Sequence, residues 1–210
     1  MLSNSIGVID RTASGTSLLP SESILMERRV IMLNREVSSD TVNGIIQRIL
    51  ILAYKSDAPI VLVISSPGGE IQAGLALIDV MNAVSCPVYT VALGMAASMG
   101  AILLAAGTPG HRVISPHSRV MIHEPLLSNG VSGSCSTIMA TAQAIMERKK
   151  LINGLLVKYT GRSIEEIETA TSFDHYMSAE EAAVFGVVDR VCEGEELMNY
   201  LKGVTEDDFG

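Results

Sequence analysis

The chain has no tryptophan, and aromatic residues make up only 4% of its 210 positions. A stacking platform for single-stranded nucleic acid needs such rings, so that function class is disfavoured. Basic charge is also scarce. There are 15 Lys and Arg against 23 Asp and Glu, a formal net charge of −8, with no cationic block. Nucleic acid and anionic membrane surfaces are therefore poor partners for it. Cysteine is limited to Cys86, Cys135 and Cys192. An odd number, far apart, gives neither a disulfide framework nor metal-ligand spacing. Free thiols in a reducing compartment are the simplest reading. The N-terminus shows no basic segment followed by an apolar one, so a secretory signal is not expected.

Charge is missing altogether from Val80 to Gly110, a length that could span a bilayer. Pro87 interrupts this stretch, and Ser85, Thr90, Ser98, Gly94, Gly100 and Gly107 punctuate it. Its pattern also changes partway from strand-like to helix-like. A buried strand followed by a buried helix is the expectation, and no membrane span.

What is present is an alternation of strand and helix signals. Residues 1–20, rich in Ser, Gly and Thr, read as a mobile arm or loop, and Ser21 to Met26 as a short helix. Arg29 to Leu33 is a strand candidate. Val42, Ile45, Ile46, Ile49, Leu50 and Ala53 recur at helical spacing behind the capping oxygens of Ser38-Ser39-Asp40, which predicts a helix over 40–55. Ile60 to Ile64 is a continuous apolar run typical of a buried parallel strand. A helix over Ile71 to Met81, a strand over Val88 to Ala92 and a helix over Ala101 to Ala106 follow. Short strands are expected at His111 to Ile114 and Arg119 to Ile122. Leu126 to Gly133 is irregular, and Ser136 to Lys158 is the longest helix. Two capping boxes, Ser163 with Glu166 and Ser178 with Glu181, open short helices before a closing strand at Val187 to Val191. The acidic end, Thr205 to Gly210, reads as frayed. Such alternation predicts one α/β domain with mainly parallel pairing.

Chemistry concentrates at Gly94-Met95-Ala96-Ala97-Ser98-Met99-Gly100, between a strand and a helix. A serine on such a turn holds its hydroxyl clear of the backbone, small neighbours admit a substrate, and the next N–H, on Met99, can face an oxyanion. Taken alone the stretch also fits a tightly packed helix. Serine needs a base and an orienting group. His123, at the end of a predicted strand, suits the base. His111 and His117, among Gly, Pro and Ser, read as solvated loop residues, and a metal pair of His117 with His123 fits no common motif. For the orienting carboxylate, Asp174 stands just before the Ser178 capping box, where ordinary turn chemistry explains it equally well. Asp79 and Asp189 are rivals that read more as surface or packing charges. Gly68-Gly69, after a buried strand, allows close approach of backbone N–H groups to a ligand. Neither a phosphate-binding loop nor a dinucleotide fingerprint surrounds it. An oxyanion donor paired with the Met99 N–H fits better.

Four motifs in order, Ser-Pro-Gly-Gly at 66–69, Ala-Ala-Ser-Met-Gly at 96–100, Pro-His-Ser-Arg-Val-Met-Ile-His at 116–123 and Met-Ser-Ala-x-Glu-Ala at 177–182, resemble ClpP, the proteolytic subunit family of the Clp proteases. The similarity runs from about residue 25 to 192. It implies a single-domain ClpP/crotonase-like β/α spiral over 21–194, with an N-terminal arm over 1–20 that could serve as a pore loop and a C-terminal tail over 195–210. A protruding handle of strand plus long helix is implied at about 124–158. Position by position, it implies Ser98 as nucleophile, His123 as base and Asp174 as orienter, with Gly69 and Met99 giving oxyanion N–H groups. It implies seven-membered rings stacked as a tetradecamer, fed by a Clp-type AAA+ unfoldase that uses the ATP; no cofactor or metal is expected on this chain. A cytoplasmic serine endopeptidase follows. An acyl-CoA enzyme of the crotonase group would leave Ser98, His123 and Asp174 unexplained.

The sequence departs from the family pattern in places. Met95 and Glu124 stand where Gln is usual, and Glu124 should point away from His123's face of the strand. Ser172-Phe173 replaces an acidic residue and Arg that link the two rings. Val61, Val63 and Ala83 stand where the ATPase-docking groove usually carries aromatics, which reduces its apolar area. The segment Leu126 to Cys135 is slightly long. These departures fit an unusual ATPase, or a structural or regulatory subunit working beside a second, active ClpP-like subunit.

Overall fold

β-Branched runs become strands and amphipathic stretches become helices in the computed structural model, which describes residues 7–12, 15–126 and 130–203. The chain starts with β1 (Gly7–Thr12), β2 (Gly15–Pro20) and α1 (Ser21–Glu27). Then come β3 (Val30–Leu33), α2 (Ser39–Lys55), β4 (Ile60–Ser66), α3 (Ile71–Ala83), β5 (Val88–Ala97) and α4 (Met99–Ala105). The second half holds β6 (Arg112–Ile114), β7 (Arg119–Ile122), α5 (Cys135–Thr160), α6 (Ile164–Thr171), β8 (His175–Met177), α7 (Ala179–Phe185), β9 (Arg190–Val191) and α8 (Gly194–Lys202). β3, β4, β5, β6 and β9 lie side by side, all parallel. β7 joins the far end of β5 in parallel and pairs antiparallel with β8. This mostly parallel α/β sheet agrees with the expected β/α spiral.

Strand alternation divides the core in two. Ile31, Leu33, Ile60, Leu62 and Ile64 face a large cluster roofed by α2, α3, α4 and α5. Val30, Val61, Val63, Val91 and Val113 face the opposite side, where Leu25 of α1 and Leu197, Tyr200 and Leu201 of α8 pack on them. Both faces are covered, as continuous apolar strands require.

The helices follow their signals. Ser38 caps α2 by accepting from the Thr41 N–H at 3.3 Å, and Val42, Ile45, Ile49 and Leu52 are buried. At the other end of α2 sits Arg29, buried and at φ 59. Its guanidinium donates to the carbonyls of Leu52, Ser56, Ala58 and Pro59 at 3.0, 3.1, 2.6 and 3.1 Å. The cation thus ties the last turn of α2 to the segment that follows it, at a helix C-terminus where the dipole favours positive charge. Both expected capping boxes form, on α6 and α7. The 26 residues of α5 span about 39 Å. Only Ile152, Asn153 and Leu156 near its C-terminal end are buried.

Four expectations are corrected. Residues 7–12 and 15–20 are not loop: β1 and β2 pair antiparallel in the register Gly7↔Pro20 to Thr12↔Gly15. Ser, Gly and Thr diluted the periodicity, while backbone pairing needs no apolar pattern. Residues 195–202 are not tail: α8 lays Leu197, Tyr200 and Leu201 on the sheet. The expected closing strand shortens to Arg190–Val191, because Val187 and Val188 are buried in the core rather than paired. No strand occurs among the described residues of 123–134, where the handle strand was expected. A strand needs a partner, and among the described residues none pairs with this segment. The expected fraying of 205–210, and the start of the N-terminal arm, fall outside the described residues. None of the described helices is long and apolar enough to cross a membrane. The uncharged stretch 80–110 is shared among the end of α3, β5 and α4.

Candidate active site

β5 runs five residues past its expected end, and that extension builds the site. Over Thr90–Ala92 it is flanked by β4 and β6. At Gly94, φ +78, the strand turns, and its N–H donates to the Ser118 hydroxyl at 2.8 Å. Met95, Ala96 and Ala97 then pair with Arg119, Val120 and Met121 of β7. Ser98 closes the strand and donates its own N–H to the Met121 carbonyl at 2.8 Å. The backbone that carries Ser98 is therefore bonded to the strand that ends one residue before His123.

Ser98 adopts φ 52 and ψ −122, and α4 begins at the next residue. A non-glycine residue in this region stores roughly 1–3 kcal/mol of strain, which the neighbours must hold. Gly68, at φ +93, presses against it: an added Cβ there would come within 2.7 Å of the Ser98 Cβ and the Ala97 carbonyl. Only glycine lets the two turns approach so closely.

Asp174 arrives by the pairing of β8 with β7, which sets His175 opposite Ile122. The two residues beyond that pair, His123 and Asp174, are thereby brought together. The Glu124 N–H fixes the turn by donating to the Thr171 carbonyl at 2.8 Å. His123 Nδ1 lies 3.0 Å from Asp174 Oδ1, and His123 Nε2 lies 2.9 Å from Ser98 Oγ. A carboxylate only accepts, so Nδ1 carries the ring proton and Nε2 accepts from the serine hydroxyl. The imidazole is largely shielded, its side chain 15% exposed, whereas the Asp174 side chain is 56% exposed. This chain of bonds can activate a hydroxyl as a nucleophile.

Gly69 forms an isolated parallel bridge with Val37: the Val37 N–H donates to the Gly68 carbonyl at 2.8 Å and the Glu70 N–H to the Val37 carbonyl at 2.7 Å. The Gly69 N–H faces away from that bridge. Neither it nor the Met99 N–H donates to a protein acceptor among the described residues. The loop is held further by Ser66, whose hydroxyl donates to the Arg35 carbonyl at 2.7 Å and accepts from the Gly68 N–H at 3.2 Å. Met99 is buried, and an added Cβ at Gly74 of α3 would overlap its side chain.

The other candidates lie elsewhere. Asp79 is exposed on α3 and His117 is exposed ahead of β7. Asp189 pairs with Arg112, its Oδ1 and Oδ2 each 3.1 Å from the guanidinium Nε. Burial works against the Asp189 carboxylate, yet the Arg112 hydrogen bonds and charge outweigh it and hold the carboxyl below its ordinary range. Glu124, beyond the end of β7 and so outside the alternation expected of a strand, reaches Lys149 Nζ at 2.6 Å. The reading of His111 as a solvated loop residue is corrected. Its ring stacks on Tyr89 at 3.8 Å and its Nδ1 lies 3.2 Å from the Tyr200 hydroxyl. Burial, then the Arg190 charge, push its pKa down, with Asp189 opposing. Sequence reading also passed over Arg112, which donates to the carbonyls of Ala105, Tyr159 and Gly186 besides Asp189. Its only signal was a cation inside an apolar strand.

A family model described as Clp protease matches residues 14–195, most of the chain. The match takes in β5, β7 and β8 together with Ser98, His123 and Asp174, and it makes this chain a member of the Clp protease family, a family of peptidases.

Proposed function

We propose that the chain is a serine endopeptidase that cuts short or unfolded polypeptides inside an oligomeric chamber. The observation that carries this is the unbroken series Asp174 Oδ1, His123 Nδ1, His123 Nε2 and Ser98 Oγ, with links of 3.0 and 2.9 Å. Ser98 Oγ attacks the scissile carbonyl as His123 Nε2 takes its proton. Asp174 holds the ring tautomer and stabilises the imidazolium. The Gly69 and Met99 N–H groups receive the oxyanion. His123 then returns the proton to the leaving amine, and water, activated by the same imidazole, hydrolyses the acyl-enzyme. No cofactor or metal enters. ATP is used by a Clp-type AAA+ unfoldase that feeds paired seven-membered rings in the cytoplasm.

A fluorophosphonate probe with site mapping tests this reading. Labelling at Ser98 that vanishes in His123→Ala is the expected result; an unlabelled, well-folded oligomer overturns it. The exposure of Asp174 and of its neighbour Phe173, 85% exposed, favours a second reading. In that reading the chain is a structural or regulatory ring subunit, competent only beside a paralogous active one. Activity that appears only on mixing, and dies with the partner's nucleophile, marks that case.

A further inference from the structure

β5 changes partner just ahead of the nucleophile, and one buried hydroxyl spans the change. Up to Ala92 the strand pairs with β6, and from Met95 it pairs with β7. Between the pairs Ile64↔Ala92 and Ser66↔Ala96 it carries two residues more than β4, a bulge that bends it. Residues in a bulge are left out of the ladder, so something else must fix their angle. Ser118, 1% exposed, does so here. Its hydroxyl donates to the Ala92 carbonyl at 3.3 Å, before the bend, and accepts from the Gly94 N–H at 2.8 Å, within it. Ser115 Oγ, 2.6 Å away, donates the third bond. A hydroxyl has one proton and two lone pairs, so this one is fully used inside the protein. The turn that carries it is fixed as well. In Ser115-Pro116-His117-Ser118 the Ser118 N–H donates to the Ser115 carbonyl at 3.0 Å, and the Ser115 N–H donates to the Ala92 carbonyl at 3.1 Å. β7 starts at the next residue, its Met121 carbonyl takes the Ser98 N–H, and His123 follows its end.

We propose that Ser118 is a positioning residue for the nucleophile: by pinning the bend in β5 to the start of β7, it sets the 2.9 Å spacing of Ser98 Oγ and His123 Nε2. Its hydroxyl acts through Ala92, Gly94 and Ser115, and bonds to no member of the Ser98, His123 and Asp174 series. Ser98 stands four residues beyond Gly94, so a change in the bend is carried along the strand to the Ser98 hydroxyl. A misplacement of about 1 Å costs on the order of a hundred-fold in rate. Gly94 is exposed, so water can satisfy its N–H once the Ser118 hydroxyl is removed. The fold then survives while the angle of the bend is no longer set. The inference rests on the peptidase reading for the reaction, and not for the geometry.

Ser118→Ala in the full chain tests it twice. Hydrogen exchange reads the geometry without any reaction: the amides of residues 95–98 exchange about ten-fold faster in the variant, while those of β3 and of Ile60 to Ile64 keep their wild-type rates. Hydrolysis of a short fluorogenic peptide reads the consequence: kcat falls about ten- to a hundred-fold with KM within about two-fold, the pattern of an interaction that matters only in the transition state. Fluorophosphonate labelling of Ser98 slows by the same factor. Leu197→Ala, on α8 and away from the bend, controls for a general loss of stability and keeps the wild-type kcat. Unchanged exchange over 95–98 overturns the proposal, and so does faster exchange with wild-type kcat. An equal fall in kcat for Leu197→Ala overturns it too, since the loss would then be one of stability alone. Where wild type neither cleaves nor labels, the peptidase reading fails, and exchange alone decides whether Ser118 sets the place of Ser98. Where Ser118→Ala does not fold, Ser118→Cys, similar in size but a weak acceptor, takes its place.

Discussion

The two faces of one sheet are built to different standards. On the inner face, Ile60, Leu62 and Ile64 of β4 are fully buried beneath four helices. On the outer face, Val61 and Val63 of the same strand are just as dry, yet their cover is α1 and a terminal helix that buries no residue of its own. The inner face belongs to the body that positions Ser98, and the outer face answers to whatever lies on it. Dryness alone therefore does not measure how firmly an apolar surface is held.

The sharpest way to break the comparison is at the site the inner face supports. Ser98→Ala should lower peptidase kcat/KM on the order of a million-fold while leaving the melting temperature nearly unchanged. Next in size is the inner core. Leu62→Ala should cost about 2–5 kcal/mol in urea unfolding, because four helices cannot collapse into the space it leaves. Asp189→Asn, at the edge between the faces, should cost about 3 kcal/mol by leaving the Arg112 guanidinium uncompensated. It also has a pH signature. The folded carboxyl titrates below its ordinary value, so the unfolded chain binds the proton first. That stability is complete above the unfolded carboxylate pKa, about 4, and is lost as pH falls through the folded value. Urea midpoints taken into acid should fall more steeply for wild type than for the Asn variant. Smallest is the outer face: Leu197→Ala should cost about 1 kcal/mol or less, read from the same unfolding curves. A cost as large as that of Leu62→Ala would erase the distinction between the faces.

How much of this could be read beforehand depended on the range of the signal. Ile60 to Ile64 announces a buried strand by itself, and Ser163 with Glu166 announces a helix start, because the cause is local. Ser98 was legible because only small residues surround it, and His123 because it ends a strand. Asp174 was indistinguishable from a turn residue: what sets it apart is the pairing of β8 with β7, a contact between distant segments. The same holds for Arg112 and Asp189, 77 positions apart, and for His111 with Tyr200, 89 apart. α8 had a usable pattern, Leu197, Tyr200 and Leu201, within a short polar stretch whose burial depends on a sheet built from the opposite end of the chain.

Arg112 has a mechanical meaning as well. By gripping the Tyr159 carbonyl at 2.8 Å together with Asp189, it clamps the last turn of α5 to the body of the sheet. Upstream of Lys149 the helix runs some 14 residues, Cys135 to Arg148, with no buried position, an arm of about 21 Å. It is a lever with its fulcrum at the clamp. A tilt of about 5° there moves the far tip, about 36 Å from Tyr159, by about 3 Å, while Ser98, on the body side of the pivot, stays where β5 and β7 hold it.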